Sequence, residues 1–347
     1  MKRKGLNQGR PEVPTLCRTS LIPLLLALLT IAMPSSGFAH EDTGDRSHDP
    51  GFLHIRSQAP GQSFRMTMPH LLPGSIKPGV GYVLGTTVSS VWVNNSDLIL
   101  DYQMLDSHLS LTYGFNEDFG FALVYDQRDY FGGAILDGLT EEFHDLFNID
   151  QNGRTEVPKG RTYFERFDTG EVIEDFTVLD NRAISLLLQY VFLHGKGNLP
   201  AAGVSGGVRY ALDAPIGGSG DHPVDVNLAL GLAKRFSENW YSCLHLGLTH
   251  FEQTKVLDLE FKEEVFSGML GLAWEISHRY SFLAQVFYSE GTMKDFAQFD
   301  KPSTEIDLGM KIVTDNGGAF EFALIENVLI LSNSPDIGFH FGYSKSF

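Results

Sequence analysis

The sequence is poor in cysteine and has no apolar run long enough for a membrane-spanning helix. Cys17 and Cys243 are its two cysteines. The main apolar stretch, from Leu21 to Met33, has 13 residues and contains Pro23, whereas a spanning helix needs roughly 20 residues. The sequence therefore excludes a scaffold held by several disulfides and argues against a helical membrane protein.

That apolar stretch is instead typical of a secretory signal peptide. Basic residues precede it, and Gly37 and Ala39 supply the small side chains that signal peptidase requires. We expect cleavage after Ala39 and export of a mature chain that begins at His40. Cys243 would then be the single cysteine of the mature chain, and no intramolecular disulfide could form.

Basic residues are also scarce. The chain has 26 Lys and Arg against 43 Asp and Glu, and without residues 1–39 the balance is 21 against 42, a net charge of −21. Phosphate binding needs clustered Lys and Arg, so we expect no nucleic-acid partner. No nucleophile lies beside a base: Ser344 and His340 share a strand face but would be about 13 Å apart. We expect no enzyme, no cofactor and no metal site.

What the sequence does contain is alternation with a period of two residues. Val226, Leu228 and Leu230 alternate with smaller or polar residues, which indicates a half-buried β-strand. In the second such segment the alternation changes phase between Met104 and Leu105, which predicts a β-bulge. Twelve segments can be recognised, at residues 79–92, 98–115, 119–130, 181–193, 200–212, 224–236, 240–251, 264–276, 280–290, 303–313, 319–327 and 337–347.

The lengths of these segments favour a membrane barrel. Most have 9 to 13 residues, close to the roughly 9–11 of a tilted strand that crosses a bilayer and longer than the roughly 5–6 of globular strands. We predict an all-β fold: a transmembrane antiparallel β-barrel of about twelve strands formed by residues 79–347. One long extracellular loop would carry a short helix.

Short and long connections alternate along the chain, apart from a tight first link at residues 93–97. Outer-membrane barrels have short periplasmic turns and longer extracellular loops. Aromatic residues cluster beside the short turns and predict a girdle at the membrane interface. The short links are 116–118, 194–200, 237–239, 277–279 and 314–318, and the long ones are 131–180, 213–223, 252–263, 291–302 and 328–336. The girdle residues are Tyr113, Phe115, Phe119, Tyr190, Phe192, Phe236, Trp240, Tyr241, Trp274, Tyr280, Phe282, Phe320 and Phe322.

The last segment carries aromatic residues on one face and ends on Phe347. Phe339, Phe341, Tyr343 and Phe347 resemble the terminal-strand signal that the outer-membrane assembly machinery recognises, although Lys345 departs from that pattern. We therefore expect the assembly machinery as a partner, and outer-membrane lipid and lipopolysaccharide as the surroundings of a barrel located in the cell outer membrane.

Several stretches resemble a bacterial family known as domain of unknown function 3187. They are Asp101–Met104, Tyr113–Glu117 and Gly138–Phe147, and Arg56–Pro60 is similar to the N-terminal segment of that family. The resemblance covers most of the mature chain. It implies an outer-membrane-type barrel and lends neither an activity nor catalytic residues.

Polar residues opposite the apolar face are candidates to line the lumen. In a barrel of about twelve strands they either border a water-filled path or pair with one another and fill it. The candidates are Asp126, Arg128, Arg209, Arg235, His245, Gln285, Asp307, Lys311, Glu321 and His340.

The longest link, residues 131–180, has apolar residues at helical spacing and predicts a short amphipathic helix. The helix would either gate the barrel mouth or only cap its own loop outside the membrane. The candidate gate residues are Leu139, Glu142, Phe143, His144, Asp145 and Phe147.

The leading functional interpretation is a narrow channel or transporter for small solutes of unknown identity. A non-conducting structural or surface-interaction barrel is the main alternative. An outer-membrane hydrolase and a soluble periplasmic β-sandwich are less favoured. Residues 40–78, which contain five prolines, would either plug the barrel or lie in the periplasm, and the sequence leaves both open.

Overall fold

The structure is a computed structural model that describes residues 51–147, 153–213, 222–256, 259–296, 299–326, 333 and 335–347. The predicted signal peptide, residues 1–39, and the first part of the 40–78 segment lie outside these residues. The described part of the chain contains no helix long and apolar enough to cross a membrane.

Twelve antiparallel strands follow one another around a single sheet. Each strand pairs with the next one in the chain, and β1 also pairs with β12, from Gly81 opposite Ser346 to Ser90 opposite Ile337. The sheet therefore closes into a barrel, which confirms the predicted architecture. The strands are β1 (Gly79–Asn94), β2 (Leu98–Gly114), β3 (Phe119–Phe131), β4 (Asn181–His194), β5 (Ala201–Ala211), β6 (Val224–Arg235), β7 (Trp240–His250), β8 (Glu264–Glu275), β9 (Tyr280–Ser289), β10 (Ser303–Val313), β11 (Gly318–Glu326) and β12 (Ile337–Ser346).

The two ends of the barrel differ in their connections. At the short-turn end, the links are tight because side chains close them locally: Asn116 Oδ1 accepts hydrogen bonds from the N–H groups of Asp118 (2.9 Å) and Phe119 (2.8 Å), as Asn commonly does in turns. At the long-loop end, the links include helix α2 (Ala134–Phe147) and the short strands Tyr163–Arg166, Val172–Ile173, Lys255–Val256 and Leu259–Glu260. The first of these strands pairs with the beginning of β2, at residues 98–101.

Alternate side chains of the strands face outward and are apolar. Leu228 is 67% exposed and Phe282 is 50% exposed, which is unfavourable in water and favourable in a bilayer. Most of the predicted girdle aromatics are likewise exposed beside the short turns. Tyr241 is an exception, because it faces inward and is buried in the barrel interior.

The predicted bulge between Met104 and Leu105 is wrong. β2 pairs with β1 and with β3 without a register shift at this point, and Met104 faces inward. The alternation changes because the outer part of β2 turns apolar residues, including Leu100 and Tyr102, into the interior, where they join a buried cluster. A register shift instead lies in β4, between Val191 and Leu193.

The barrel interior contains residues 51–78, here called the inner segment. Its ascending arm, residues 51–59, runs from the short-turn end to the long-loop end, where helix α1 (Pro60–Ser63) reverses the chain. Its descending arm, residues 64–78, returns to the short-turn end, where Pro78 bridges to Gly114 and β1 begins. Both ends of this hairpin therefore lie at the same end of the barrel.

Candidate functional site

The structure places nine of the ten predicted lumen residues inside the barrel, each at most 5% exposed. They are Asp126, Arg128, Arg209, His245, Gln285, Asp307, Lys311, Glu321 and His340. Arg235 differs because it lies at the short-turn rim, where it is exposed and donates to Glu275 Oε2 (2.9 Å). Most of the buried candidates contact the inner segment rather than a water-filled path.

Side chains of three strands, β3, β10 and β11, hold the ascending arm. His54 Nδ1 lies 2.7 Å from Glu321 Oε1, and the His54 N–H donates to Glu321 Oε2 (2.9 Å). Arg56 forms an ion pair with Asp126. Glu305 Oε2 accepts from Ser57 Oγ (2.6 Å) and from the Gln58 N–H (2.7 Å). The polar contacts thus continue along the whole arm.

The reversal at α1 brings the segment against β2, β3 and β9. Arg128 donates to the Gln62 carbonyl (3.0 Å), the hydroxyl of Tyr130 donates to the Ser63 carbonyl, and the side chain of Gln62 donates to Ser289. Backbone carbonyls buried without partners would cost free energy. Arg128 and Tyr130 thus donate hydrogen bonds to backbone carbonyls of the inner segment, whose two arms do not pair with each other as β-strands.

The descending arm is bound in the same way on the opposite side. Arg209 donates to the Met66 carbonyl, and Gln189 Nε2 donates to the Leu72 carbonyl (2.9 Å). His70 Nδ1 lies 2.9 Å from His245 Nδ1, so one imidazole donates and the other accepts. Polar side chains of the wall therefore contact the descending arm along its length, from the long-loop end to the short-turn end.

Glycines in the wall make room for the segment. A Cβ atom on Gly231 would lie 3.4 Å from the Leu72 Cα and 2.9 Å from the Pro73 Cδ. A Cβ atom on Gly309 would lie 2.7 Å from Leu53 Cδ1. A larger side chain at either position would overlap the inner segment. The wall therefore needs glycine at these two positions while the segment fills the lumen.

The charges of the segment and of the wall are complementary. Residues 51–78 contain Arg56, Arg65 and Lys77 but no Asp or Glu, in a chain that has 43 acidic residues. The described wall between its rims turns six carboxylates and three permanent cations inward. The carboxylates are Asp106, Asp126, Asp225, Glu305, Asp307 and Glu321, and the cations are Arg128, Arg209 and Lys311. A basic segment thus occupies an acidic lumen.

An apolar cluster closes the long-loop end. Phe64 directly follows helix α1. The centroid of its ring lies 6.3 Å from the ring centroid of Phe164 and 6.1 Å from that of Phe261. Phe176, Leu179 and other loop residues pack around them. Burial of these side chains stabilises the covering loops over the segment, because apolar surface leaves water.

Helix α2 lies against the outside of the wall and not inside the mouth. Its Asp137 accepts a hydrogen bond from the side chain of Gln103 (2.9 Å), which faces outward on β2. Leu139 is 42% exposed, and Glu142 and Asp145 are exposed as well. The side chains of Phe143, His144 and Phe147, also predicted gate residues, lie outside the described part of the structure. The described contacts favour the alternative of a helix outside the lumen.

Arg154 fastens this helix to the barrel. Its guanidinium forms ion pairs with Asp137 (2.6 Å) and with Asp336, and donates to Ser90 Oγ (2.8 Å) on β1. Burial raises the pKa of Asp336 to about 7, and nearby Asp101 and Asp137 act in the same direction, although Arg154 opposes them. The cluster therefore contains more carboxylates than its buried cation can neutralise.

Sequence reasoning missed several lumen residues. Asp106 and His108 follow the predicted phase change, so the alternation with Leu105, Leu109 and Leu111 already contained the signal for them. Glu305 has the same parity as Asp307 and Lys311, so the alternation already contained the signal for it. For His54 and Arg56 the usable signal was compositional: a stretch of 28 residues free of acidic side chains in a strongly acidic chain.

The closed antiparallel sheet, its apolar outer face and its polar interior define a β-barrel of the outer-membrane type. A family model described as protein of unknown function (DUF3187) matches residues 28–347, and the chain belongs to that family. The resemblance noted in the sequence is thereby confirmed. No curated protein matches the sequence significantly.

Solved structures with related folds include bacterial channels. The COG4313 outer membrane channel from Pseudomonas putida F1 is 12% identical, with a TM-score of 0.49 over 80% of this chain and 100% of that chain. The KdgM porin in complex with oligogalacturonate is 6% identical, with a TM-score of 0.42 over 77% and 99%. The P. putida toluene transporter TodX is 11% identical, with a TM-score of 0.39 over 90% and 99%. At these levels of similarity the functions of those proteins do not transfer to this chain.

Proposed function

We propose that the protein is an outer-membrane channel or transporter for small solutes whose path through the lumen is occupied by the inner segment. Solute passage would require that this hairpin leave the lumen or shift within it. The strand lengths and the exposed apolar side chains of the outer face support a position in the outer membrane. Lipid and lipopolysaccharide would then cover that face.

The observation that carries the proposal is the kind of contact that holds the segment. Wall groups such as Asp126, Glu305 and Glu321 bind the ascending arm through hydrogen bonds and ion pairs. Water can replace such contacts, because the net contribution of one hydrogen bond is only about 0.5–1.5 kcal/mol. These polar contacts are therefore exchangeable with water, to a degree that the apolar contacts of Leu53, Ile55 and Leu72 with the wall are not.

The connectivity of the segment supports the same proposal. Its two arms meet the wall at the short-turn end, near Lys311 and near Gly114. The hairpin can therefore withdraw toward that end without threading a chain terminus through the barrel. The closed apolar cluster at the long-loop end leaves the short-turn end as the direction of withdrawal.

A reversible crosslink tests the proposal. In a Cys243→Ala background, Gly61→Cys and Thr292→Cys would place two thiols within disulfide reach, since the Gly61 Cβ position lies 2.9 Å from Thr292 Oγ1. We expect planar-bilayer conductance to be low in the oxidised protein and to rise on addition of a reductant. The matched control is the Cys243→Ala protein with Thr292→Cys alone, which should not respond to the reductant.

A non-conducting structural barrel is the second candidate, and the apolar cluster around Phe64 favours it because it seals the long-loop end. The crosslink experiment distinguishes the two. If the folded, reduced protein conducts no better than the oxidised one and both stay closed, the channel proposal fails and the structural role stands.

A further inference from the structure

Charge pairing inside the wall leaves part of the acidic lumen unbalanced. Arg128 Nε lies 3.1 Å from Asp106 Oδ2, and Arg209 Nε lies 2.9 Å from Asp225 Oδ2. Lys311 Nζ lies 3.1 Å from Glu321 Oε1. These three pairs consist of wall residues alone and would persist without the inner segment.

Three wall carboxylates remain after this pairing: Asp126, Glu305 and Asp307. The ascending arm supplies the partners of the first two, through Arg56 for Asp126 and through Ser57 and Gln58 for Glu305. Removal of the arm would expose both carboxylates to the lumen without a cation.

Asp307 is fully buried and has no ion pair among the described residues. Its polar neighbour is the uncharged Gln285, directly opposite on β9, whose Oε1 accepts from the Leu53 N–H. A buried carboxylate without a cation is costly, so the position is not explained by the stability of the closed state. It is explained if the group acts when the lumen is open.

The three carboxylates border the route that the arm now takes. Glu305 and Asp307 share the inner face of β10, while Asp126 lies on β3, and residues 53–58 contact both strands. Arg56 therefore marks a position inside the barrel at which a cationic group lies close to carboxylates of the wall.

From this arrangement we infer that the open path favours cationic solutes and that Arg56 with its neighbours stands in for such a solute while the path is closed. The inference rests on the proposed channel function and names its solute class. A lumen lined by uncompensated charge of one sign concentrates ions of the opposite sign, and its low-dielectric walls strengthen the effect.

Ion selectivity tests the inference directly. The reduced Gly61→Cys/Thr292→Cys protein in the Cys243→Ala background would be measured across a KCl gradient in planar bilayers. We expect K⁺ to permeate about tenfold better than Cl⁻, the lower end of what charged clefts achieve. Asp126→Asn, Glu305→Gln and Asp307→Asn together should bring the permeability ratio close to one.

The controls keep folding separate from selectivity. Asp307→Asn alone replaces a buried carboxylate that lacks a cation by an isosteric neutral amide, so the variant should fold at least as well as the parent and still lose part of its K⁺ preference. Asp315→Asn, in an exposed short turn, should leave the ratio unchanged. A conducting protein that is unselective or prefers Cl⁻ overturns the inference and leaves the channel proposal intact. A reduced protein that does not conduct overturns both.

Discussion

Arg56 of the inner segment is ion-paired with Asp126 of β3, and both side chains are removed from solvent. The two residues are 70 positions apart in the chain. The pair joins the segment to the wall at mid-height in the lumen, where water does not reach either charge in the closed state. Removal of only one partner of such a pair is costly, because the remaining charge stays buried and unpaired.

Arg56→Ala should therefore destabilise the occupied barrel by about 3–5 kcal/mol. The free energy of unfolding in urea, measured on detergent-solubilised protein, checks this value. Asp126→Asn in the same background should recover a large part of the loss, because the uncompensated charge is removed. Additive effects of the two substitutions would contradict the pairing.

Gly231→Val should displace the descending arm. The added side chain would overlap Leu72 and Pro73, which lie within 3.4 Å of the Cβ position. We expect a higher single-channel conductance in the variant without loss of the barrel, seen as an unchanged shift between unheated and heated samples on a gel. Gly206→Val is the matched control: it faces outward on β5, and its Cβ position lies 3.7 Å from its nearest neighbour.

Phe64→Ala should loosen the closure at the long-loop end. Loss of a buried Phe that contacts Phe164 and Phe261 costs about 3–5 kcal/mol, so proteases added from that side should cut within residues 163–179 more rapidly. Phe115→Ala is the control, because Phe115 is 58% exposed at the short-turn end. Equal cleavage rates in the two variants would argue against the cluster as the closure.

The attachment of helix α2 should weaken as the pH rises. The pKa of Asp336 is about 7 when the loop is attached and would return toward its ordinary value of 3.8 when it detaches. At pH values between these two pKa values, Asp336 is protonated in the attached state and ionised in the detached state. The stability of the attached state therefore falls as the pH rises from about 4 to about 7. Asp336→Asn cannot ionise and should abolish this dependence.

Trp92 can report the change, since its backbone N–H donates to the Asp336 carboxylate. With Trp240 and Trp274 replaced by Phe, Trp92 is the remaining tryptophan, and its emission maximum should shift to longer wavelength as the pH rises. An Asp336→Asn protein with the same pH profile as its parent would disprove this role. Asp315→Asn should keep the parent profile.

Local pattern predicted the wall well, for a physical reason. Successive side chains of a strand point to opposite faces, so Asp307 and Lys311 could be assigned to the inside from neighbouring apolar residues alone. The same rule failed for Leu100 and Met104, because their apolar side chains face a covered interior rather than lipid. Alternation reports which residues share a face, and it does not report what that face contacts.

The sequence by itself determined the twelve strands, the closed sheet and most of the inward-facing residues, because these follow from a two-residue period and from the spacing of turns. It left the placement of residues 51–78 open. His54 and Glu321, 267 positions apart, meet through the reversal at Pro60–Ser63 and the closure of β1 on β12. Only the tertiary structure decides such contacts, because the contacting residues depend on the shape and charge of the enclosed lumen. That lumen exists only in the closed barrel.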